Sequence, residues 1–575
     1  MFANVRSTCG MCAPKESMKI FLQEARQQSR IAIPTTLGLL LNRIPWIISL
    51  HFVGLLGPEQ LAAAALATTL CNITGMSFSV GLSSAITTLT GQARGDILRK
   101  GKQTIKGTKE CEENGNESND EELIESSPLL RTKSKQHLSL SFNGSQPSSG
   151  EYNTRTDCSF ESAADLAPLQ PLVFLFRGIA IQLAFVIPIG LWWIKGLKPF
   201  LVALGQGEEL SCMTETYLRV LTPGLWAYSL NWTLASWLQS IEIADVPAFA
   251  AFVGFASHIP FNILFVNVLG FEYLGVAMAT VMFQLLQPII VCGYLFGTAR
   301  GRERVLKGIG ANHIGRTHLS FWPEARSAVS SISGIKQYLS LALPGIVIIS
   351  EWWASECIVF LSGRLAPDPD IAIAATSIYQ TINTFFFMFP VGFSAASSAR
   401  VGLFLGMNRP ESAKMASRVS VVFAGFISAT MGCILMFTPH ELFPSIFTND
   451  RDVLRMAAST IPYLAFYVFA DGIQVALNGV IKGCGRQAIV APMVIFAYWI
   501  VGVPMAYYNS FEKYDGTTVC NAGDITCGVR GLVAAMTAGT WVHFLLCFWV
   551  VAFFIRWEEE ARLAHERMSR SENSI

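Results

Sequence analysis

Charged residues are scarce in this sequence. Asp, Glu, Lys and Arg make up only 14% of its 575 residues, whereas 51% are hydrophobic, and the mean hydropathy is +0.42. The formal net charge is +1, so the overall charge predicts no nucleic-acid partner. The composition is not typical of a soluble protein, because too many long apolar runs would have to be core helices.

Signatures of ATPases, secreted proteins and metal sites are also missing. The sequence contains no G-x-x-x-x-G-K-[ST] phosphate-binding motif, which argues against ATP hydrolysis, and we predict no enzyme activity. No short apolar region followed by a cleavage site stands at the N-terminus, so we expect no removed signal peptide. Cys9 and Cys12 form a CxxC pair without further ligands, so we predict no metal and no cofactor.

Long apolar runs, by contrast, are frequent. Windows of about 20 residues, the length that crosses a bilayer as a helix, find about twelve candidate spans. The spans are 31–56, 61–90, 171–194, 217–241, 247–268, 272–297, 338–362, 371–397, 416–438, 456–480, 488–508 and 529–556. The predicted fold class is therefore an all-α membrane protein with about twelve transmembrane helices.

Arg and Lys are unevenly distributed over the connections between these spans. They crowd residues 1–30, the linker 298–336 and the tail 557–575, while the alternate connections are almost free of them. By the positive-inside rule, both termini and the linker are expected in the cytosol. The predicted membrane domains are an N-lobe at 31–297 and a C-lobe at 337–556, with helices 1–6 and 7–12.

Residues 101–170 interrupt the hydrophobic pattern. The stretch is rich in charged residues, Ser, Asn and Gly and cannot bury enough apolar surface to fold, so we predict a disordered cytosolic loop. Within it, Glu125 followed by Leu129 and Leu130 resembles an acidic dileucine sorting signal, which clathrin adaptors bind. Such a match also arises by chance in an acidic segment. A clathrin adaptor is the protein partner that the sequence suggests.

Two cysteines share the connection before the last span. The predicted topology places Cys520 and Cys527 on the non-cytosolic side, where disulfides persist. They form either a structural disulfide or two free thiols.

The two halves of the chain are related by an internal repeat. Residues 31–34 read Ile-Ala-Ile-Pro and residues 341–344 read Leu-Ala-Leu-Pro, an offset of 310. Residues 80–85 match residues 391–396 at an offset of 311. The nearly equal offsets predict two six-helix repeats, and transporters built in this way bind their substrate between the repeats near the midplane.

Three acidic side chains interrupt apolar spans of the second half, namely Glu351, Glu356 and Asp471. A carboxylate inside a membrane is costly, so such residues are usually ion sites, proton relays or counter-charges for a substrate. Asp471 shares one helical face with Gln474 and Asn478, and this stripe should face the bundle interior or a wet cavity. A structural hydrogen-bond network is the alternative. Burial disfavours the charged form of a carboxyl group, which brings protonation within reach of physiological pH.

Glu351 and Glu356 cannot face the same point, because five residues correspond to about 140° around a helix. We therefore assign ion coupling to Glu351, which lies deeper in its span, and a structural or substrate contact to Glu356. Trp352 and Trp353 are candidates to line a cation-binding cavity through their ring faces, with ordinary packing as the alternative.

Other polar residues in mid-span extend the candidate cavity. Gln380 and Asn383 belong to a polar stripe on the eighth span, which lines the cavity or joins helices by hydrogen bonds. Asn42 precedes Arg43 on the first span, where no acid accompanies the arginine. Arg43 needs a partner on another helix, a water-filled cleft or a path to the interface. Its positive charge also leaves an anionic substrate as an alternative.

Short stretches in a fixed order cover nearly the whole chain apart from 101–170 and the termini. They include Gly54-Leu-Leu-Gly57, Thr88-Leu-Thr-Gly91-Gln92-Ala93, Leu238-Gln239, Glu351-Trp-Trp-Ala-Ser-Glu356, Pro390-Val-Gly392-Phe-Ser, Asp471-Gly-Ile-Gln474 and Gly479-Val-Ile-Lys-Gly483-Cys-Gly485-Arg-Gln487. Together they resemble the multidrug and toxic compound extrusion (MATE) family, especially its eukaryotic branch. The resemblance implies a V-shaped pair of six-helix bundles, with coupling acids at Glu351, Glu356 and Asp471.

The sequence departs from this family in the N-lobe. Many prokaryotic relatives carry a coupling Asp in the first helix, where this chain has Asn42 and Arg43 and no acid. Thr87 stands where plant members often have Asp, and Gln380 corresponds to an acid of some animal members. We therefore expect coupling through the C-lobe.

The resemblance to this family, together with the acids in mid-span, implies a monomeric antiporter in the lipid bilayer, which exports organic cations, xenobiotics or metabolites in exchange for H⁺ or Na⁺. The alternatives are an organic-anion exporter of the same fold with Arg43 as counter-charge, a lipid-linked precursor flippase, and a receptor without transport. A flippase predicts a larger basic cavity and more helices, and the internal repeat argues against a receptor. The plasma membrane and the vacuolar or endolysosomal membrane are both compatible with the sequence.

Overall fold

A computed structural model describes residues 14–117, 168–203, 205–521 and 523–573. Within these residues, twelve long helices form the body of the molecule, and four of them contain π-helical segments. Their bounds are α1 Pro14–Gly54; α2 Pro58–Cys71, Asn72–Met76 (π) and Ser77–Glu117; α3 Gln170–Lys195; α4 Glu208–Ser240; α5 Asp245–Asn262 and Ile263–Val268 (π); α6 Glu272–Gly297; α7 Ile332–Ser362; α8 Pro369–Gly406; α9 Pro410–Phe437; α10 Ile461–Cys484; α11 Gln487–Val494, Ile495–Gly502 (π), Val503–Tyr507 and Tyr508–Glu512 (π); and α12 Gly528–Trp549 and Val550–Phe554 (π). The prediction of an all-helical membrane protein with about twelve transmembrane helices is confirmed.

Shorter helices occupy the connections. They are Leu197–Ala203, a first linker helix Ala299–Ile309, the 3₁₀ turn Ala311–Ile314, a second linker helix Trp322–Ser330, the 3₁₀ turn Pro444–Ile446, the helix Arg451–Ala458 and a C-terminal helix Trp557–Glu572.

Of the helices in the described part of the chain, eleven are long and apolar enough to cross a membrane. α4 has 33 residues but is not among these eleven. Its buried hydroxyls donate within the helix, as Ser229 does to the Leu225 carbonyl and Thr233 to the Ser229 carbonyl. Polar groups satisfied in this way are compatible with an apolar surrounding, so α4 completes the first six-helix set.

Three regions outside the predicted spans are more helical than the sequence predicts. α1 begins inside the segment 1–30, α2 continues to Glu117, and the tail carries the C-terminal helix. The prediction of disorder is therefore wrong for residues 101–117, while 118–167 lie outside the described residues. Hydropathy windows do not detect such extensions, because polar helix-forming residues lengthen a helix without raising hydropathy.

The helices pack as two lobes, α1–α6 and α7–α12. The N-lobe has a core of its own around Trp193 and Leu221, and the C-lobe has one around Ile358 and Leu477. A further apolar cluster joins α2 to α7 across the lobe boundary. This arrangement matches the repeat predicted from the sequence.

The two ends of the bundle differ, and we name them by what they carry. The linker side carries both linker helices, the C-terminal helix, the end of the candidate membrane span of α2 at Gln103 and the end of α8 at Gly406. The disulfide side carries the loop between α11 and α12, in which Cys520 and Cys527 are bonded.

Glycines allow α2 and α8 to approach closely on the linker side. A Cβ atom added at Gly402 would lie 3.6 Å from the Gly91 Cα, and one added at Gly406 would overlap the Gln92 backbone. The lobes are therefore joined tightly at this end of the molecule.

Candidate functional site

Glu351 lies in a buried polar cluster of the C-lobe to which three helices contribute. Glu351 comes from α7, and its Oε2 is 3.7 Å from Nδ1 of His543 on α12. Gln474 of α10 donates from Nε2 to the same His543 nitrogen at 2.9 Å. His543 and Gln474 are fully buried and Glu351 is 9% exposed. A carboxyl group, an imidazole and an amide are thus brought together inside the membrane span.

Asp471 lies beside this cluster on α10. Its side chain is 3% exposed and is within electrostatic reach of Glu351, and the phenol of Tyr379 on α8 is a further neighbour. Two carboxyl groups in one buried region repel each other when both are ionised. A bound proton or a cation would relieve that repulsion.

The polar face of α10 continues beyond the predicted stripe. Asn478 is buried, and the Cys547 thiol donates to its Oδ1 at 3.3 Å. Lys482, three helical turns from Asp471, is within electrostatic reach of Glu351. The site therefore contains a cation of its own besides the two acids.

His543 and Lys482 were not predicted from the sequence. An ionisable side chain inside a span is a functional-site signal whatever its charge, and His543 falls within the predicted span 529–556. Lys482 falls two residues beyond the predicted span 456–480, so hydropathy assigns it to a connection.

Several buried atoms of the cluster lack a hydrogen-bond partner within the described chain. They are Glu351 Oε2, Gln474 Oε1 and His543 Nε2. Buried polar atoms without partners are uncommon in native structures and require an explanation such as water or an ion. The cluster is therefore suited to binding a proton, a water molecule or a small cation.

Glu356 does not join this cluster. It is partly exposed and is within electrostatic reach of Arg43 on α1 of the opposite lobe, without a direct ion pair between the two described side chains. Tyr228 of α4 is a second electrostatic neighbour of Arg43. The partner that Arg43 requires is thus supplied across the lobe boundary.

Asn42 belongs to a hydrogen-bond network inside the N-lobe. Gln287 of α6 donates to Asn42 Oδ1 at 2.8 Å, and Asn231 of α4 donates to Gln287 Oε1 at 2.9 Å. This network contains no carboxylate, in line with the sequence departure noted for the first helix.

The remaining predicted cavity residues have separate surroundings. Trp353 stacks obliquely on Phe78 of the N-lobe with ring centroids 6.1 Å apart, and Trp352 meets Phe387 edge-on at 6.0 Å. Gln380 donates to the Ser355 carbonyl at 2.9 Å. Asn383 of the same helix, α8, is buried, and its Oδ1 has no partner among the described residues.

Two of the sequence motifs meet at the lobe boundary and form what we call the interlobe seam. Thr88 donates to the Lys482 carbonyl at 2.6 Å and accepts from the Gln487 amide at 2.9 Å. Gln92 donates to the Gly483 carbonyl at 3.0 Å. The motif around Gly91-Gln92 of α2 thus binds the backbone that follows the polar face of α10.

An ion cluster of Glu24, Arg94, Glu242 and Arg400 closes the same side of the molecule. Arg400 of α8 donates to Glu24 of α1 at 2.5 Å and to Glu242, after α4, at 2.7 Å. Arg94 of α2 donates to Glu242 at 3.1 Å. Burial by itself would raise the pKa of Glu242, but the two guanidinium groups outweigh it and lower that pKa to about 2. The cluster therefore remains charged and holds the lobes together at neutral pH.

Two further predictions concern other parts of the chain. Cys520 and Cys527 form a disulfide in the structure. The candidate sorting signal at Glu125, Leu129 and Leu130 lies outside the described residues. Among the residues that are described, no group of His, Cys, Asp and Glu could hold a metal ion.

Two six-helix lobes with ionisable groups buried in mid-span define a polytopic transporter. The MatE family model matches residues 34–100, 172–264 and 338–508, which is more than half of the chain. The chain therefore belongs to the MatE family and is an efflux transporter, and the resemblance found in the sequence is confirmed.

Relatives of known name match the chain over nearly its whole length. Protein DETOXIFICATION 36 from Arabidopsis thaliana is 24% identical over 96% of this chain and 90% of its own length. Protein DETOXIFICATION 3 from the same plant is 25% identical over 96% and 94%. The crystal structure of the eukaryotic MATE transporter AtDTX14 gives a TM-score of 0.72 at 24% identity and covers 95% of this chain and 99% of that chain. At this identity, the structural likeness shows the fold.

Proposed function

We propose that this chain is an antiporter that exports organic cations, either xenobiotics or metabolites, in exchange for H⁺ or Na⁺. The observation that carries the proposal is the cluster of Glu351, Gln474 and His543, with Asp471 beside it. It combines groups that bind a proton with groups that bind a cation, at one buried place in the C-lobe.

The mechanism follows from competition for negative charge. When Glu351 and Asp471 are ionised, they supply counter-charge that Lys482 compensates only in part, so a cationic substrate is attracted. When protons occupy the carboxyl groups, that counter-charge disappears and the substrate is released. His543 lies against Glu351 and is placed to pass or share the proton.

The direction of transport requires an orientation in the membrane. We propose that the linker side is cytosolic, because the linker 298–336 and the tail 557–575 on that side are rich in Arg and Lys. The interlobe seam and the ion cluster then close the cytosolic side, and export requires both to open and close in each cycle.

The direct test is efflux of a fluorescent organic cation from proteoliposomes under an imposed pH gradient. Glu351→Gln and Asp471→Asn should each abolish the gradient-dependent part, while Asp368→Asn, an exposed acid at the start of α8, should leave it unchanged. Gradient-dependent efflux that persists in both site variants would contradict the proposal. Efflux that follows Na⁺ in place of H⁺ would identify the coupling ion.

A second substrate class is favoured by one observation. Arg43 and Glu356 are within electrostatic reach of each other from opposite lobes, without a direct ion pair between the described side chains, and Tyr228 is a further electrostatic neighbour of Arg43. In an organic-anion exporter, Arg43 would hold the carboxylate or sulfate of the substrate, and Trp353 and Phe78 would pack against its apolar part. Arg43→Gln should then abolish uptake of an aromatic carboxylate but not of an organic cation.

The membrane that holds the protein depends on the proposed sorting signal. We expect that changing Leu129 and Leu130 together to Ala shifts a fluorescently tagged protein from an internal membrane to the cell surface. Leu123→Ala, a leucine close to the proposed signal in sequence, is the control and should not change the location. An unchanged location of the double variant would contradict both the sorting signal and the clathrin adaptor as a partner.

A further inference from the structure

A cavity of about 570 Å³ lies in the linker between the lobes, away from the C-lobe site. It is formed by the first linker helix and the turn that follows it. Its lining includes Arg302, Glu303, Arg316, His318 and Leu319. The volume falls in the range of small-molecule binding sites.

Basic groups predominate in the lining. Arg302, Arg316 and His318 supply two guanidinium groups and an imidazole, whereas Glu303 supplies the single carboxylate. Arg316 is only 6% exposed, and Arg302 donates from Nη1 to the carbonyl of Phe296 at 2.8 Å, which fixes it at the end of α6. Guanidinium groups held in place at a cavity match the geometry and charge of phosphate.

The cavity is adjacent to an apolar surface that points away from the protein. The second linker helix begins at Trp322, which is 78% exposed, and Val329 on the same helix is 60% exposed. Phe321, the residue before that helix, packs edge-on against Phe296 and Phe176 with ring centroids 5.3 and 6.4 Å apart. The aromatic contacts fasten the linker to α3 and α6.

The linker joins two membrane helices, α6 and α7, so we expect its helices to lie close to the membrane surface. Exposed Trp side chains are typical of that interface, where the ring is half in the headgroups and half in the acyl region. Only Ser320 and Phe321 separate the cavity residue Leu319 from Trp322. With Trp322 at the interface, the basic cavity would lie at the level of the lipid headgroups.

We propose that this cavity binds the headgroup of an anionic phospholipid with a phosphorylated inositol ring. Its phosphate groups contact Arg302 and His318, which are exposed at the cavity, and its acyl chains lie in the bilayer beside Trp322 and Val329. Clusters of basic residues next to a membrane helix recognise such lipids. The proposal concerns a site apart from the transport pathway and holds whichever substrate is exported.

The test measures binding to the full-length protein in neutral detergent by microscale thermophoresis. The probes are dioctanoyl phosphatidylinositol 4-phosphate, dioctanoyl phosphatidylcholine and the headgroup alone, glycerophosphoinositol 4-phosphate. We expect the anionic lipid to bind at least tenfold more tightly than the other two. The double variant Arg302→Gln and His318→Gln should weaken its binding about fivefold or more. Trp322→Ala should weaken binding of the lipid but not of the headgroup.

The control removes two guanidinium groups elsewhere on the linker side, by Arg418→Gln and Arg562→Gln, which is at least as much charge as the double variant removes, and should leave lipid binding unchanged. Equal loss in the control would mean that the lipid responds only to surface charge and would overturn the proposal. Tight binding of the headgroup alone, together with no effect of Trp322→Ala, would assign the cavity to a soluble phosphate compound. Equal binding of phosphatidylcholine would exclude an anion site.

Discussion

Glu351 and His543 approach each other from α7 and α12, and their contact has consequences that single substitutions can measure. The imidazole is fully buried and touches both an acid and an amide of the site. We propose that His543 acts on ion coupling, whereas a histidine in a purely structural network would affect only stability.

We expect His543→Asn to reduce gradient-driven transport by about tenfold or more while the protein remains monodisperse. The substitution removes the only imidazole of the C-lobe cluster that the structure describes, and with it the neighbour of Glu351. Transport in proteoliposomes with and without a pH gradient gives the measurement.

The N-lobe offers a matched control in His258, which is equally buried and lies 3.0 Å from the Ser49 hydroxyl. His258→Asn should lower thermal stability, at a cost of about 1–2 kcal/mol, and leave the gradient dependence intact. Equal loss of coupling in the two variants would contradict a specific role for His543.

Glu242 makes the stability of the linker side depend on pH. Its pKa is lowered from 4.5 to about 2, so its contribution is fully present above pH 4.5 and is lost as the pH falls through about 2. Glu242→Gln should therefore destabilise the protein by on the order of 2 kcal/mol at neutral pH, after allowance for partial exposure. Thermal unfolding in detergent should show this difference shrinking only below pH 4.5. A difference that is independent of pH would contradict the ion cluster.

The acids of the site and Gln474 were predictable from the sequence, whereas His543 and Lys482 were not. Hydropathy and helical spacing grouped Asp471 with Gln474 and separated Glu351 from Glu356, because both signals are local. The contacts of His543 with α7 and α10 depend on how distant helices pack, which no local pattern records. The same limit applies to Arg43, whose neighbour Glu356 lies in the other lobe.

At the scale of elements, the C-terminal helix connects the two lobes on the linker side. Arg567 donates to Gln92 Oε1 in the N-lobe at 2.5 Å, and Arg486 of the C-lobe pairs with Glu560 at 2.9 Å. Ala564 of the C-terminal helix is fully buried and lies on the face of that helix that packs against the lobes. The sequence indicated only a charged tail here, because the apolar positions of one amphipathic helix are too few to raise hydropathy.

We expect Ala564→Arg to detach this helix, because a guanidinium on its buried face has neither space nor a partner. Backbone amides of 557–572 should then exchange hydrogen for deuterium at least tenfold faster. Ser569→Arg, on the exposed face of the same helix, is the control. Unchanged exchange in Ala564→Arg would show that the helix does not depend on its packing against the lobes.

At the scale of the whole molecule, closure of the linker side depends on the close approach of α2 and α8. A side chain at Gly406 would overlap the Gln92 backbone, whereas one at Gly293 on α6 would meet open space. The packing that joins the lobes is therefore also the packing that must separate in transport.

Gly406→Val should hold the linker side open. The added methyl groups cannot be accommodated in the closed state without a cost of about 1–3 kcal/mol. We expect a cysteine introduced at Thr88 in the interlobe seam to become accessible to a water-soluble maleimide in this variant. Gly293→Val should leave the label excluded, and labelling at the same rate in both variants would contradict the account.

The number of helices and the two-lobe repeat were predictable because both are recorded in the sequence, as apolar run length and as a constant offset. The conformation in which the lobes meet on the linker side was not predictable. It depends on contacts between distant residues, such as those of Arg400 with Glu24 and Glu242. A sequence records which residues are available to such contacts but not which of them form in one state.

The exchange of a cation for protons at the C-lobe site is tested most directly by proton movement driven by substrate. Proteoliposomes with a pH-sensitive dye inside and no imposed gradient are given an organic cation on one side only. The account predicts a change in internal pH that depends on the substrate and is absent in Glu351→Gln and Asp471→Asn. Substrate uptake without any change in internal pH, in the wild type and without Na⁺, would contradict it.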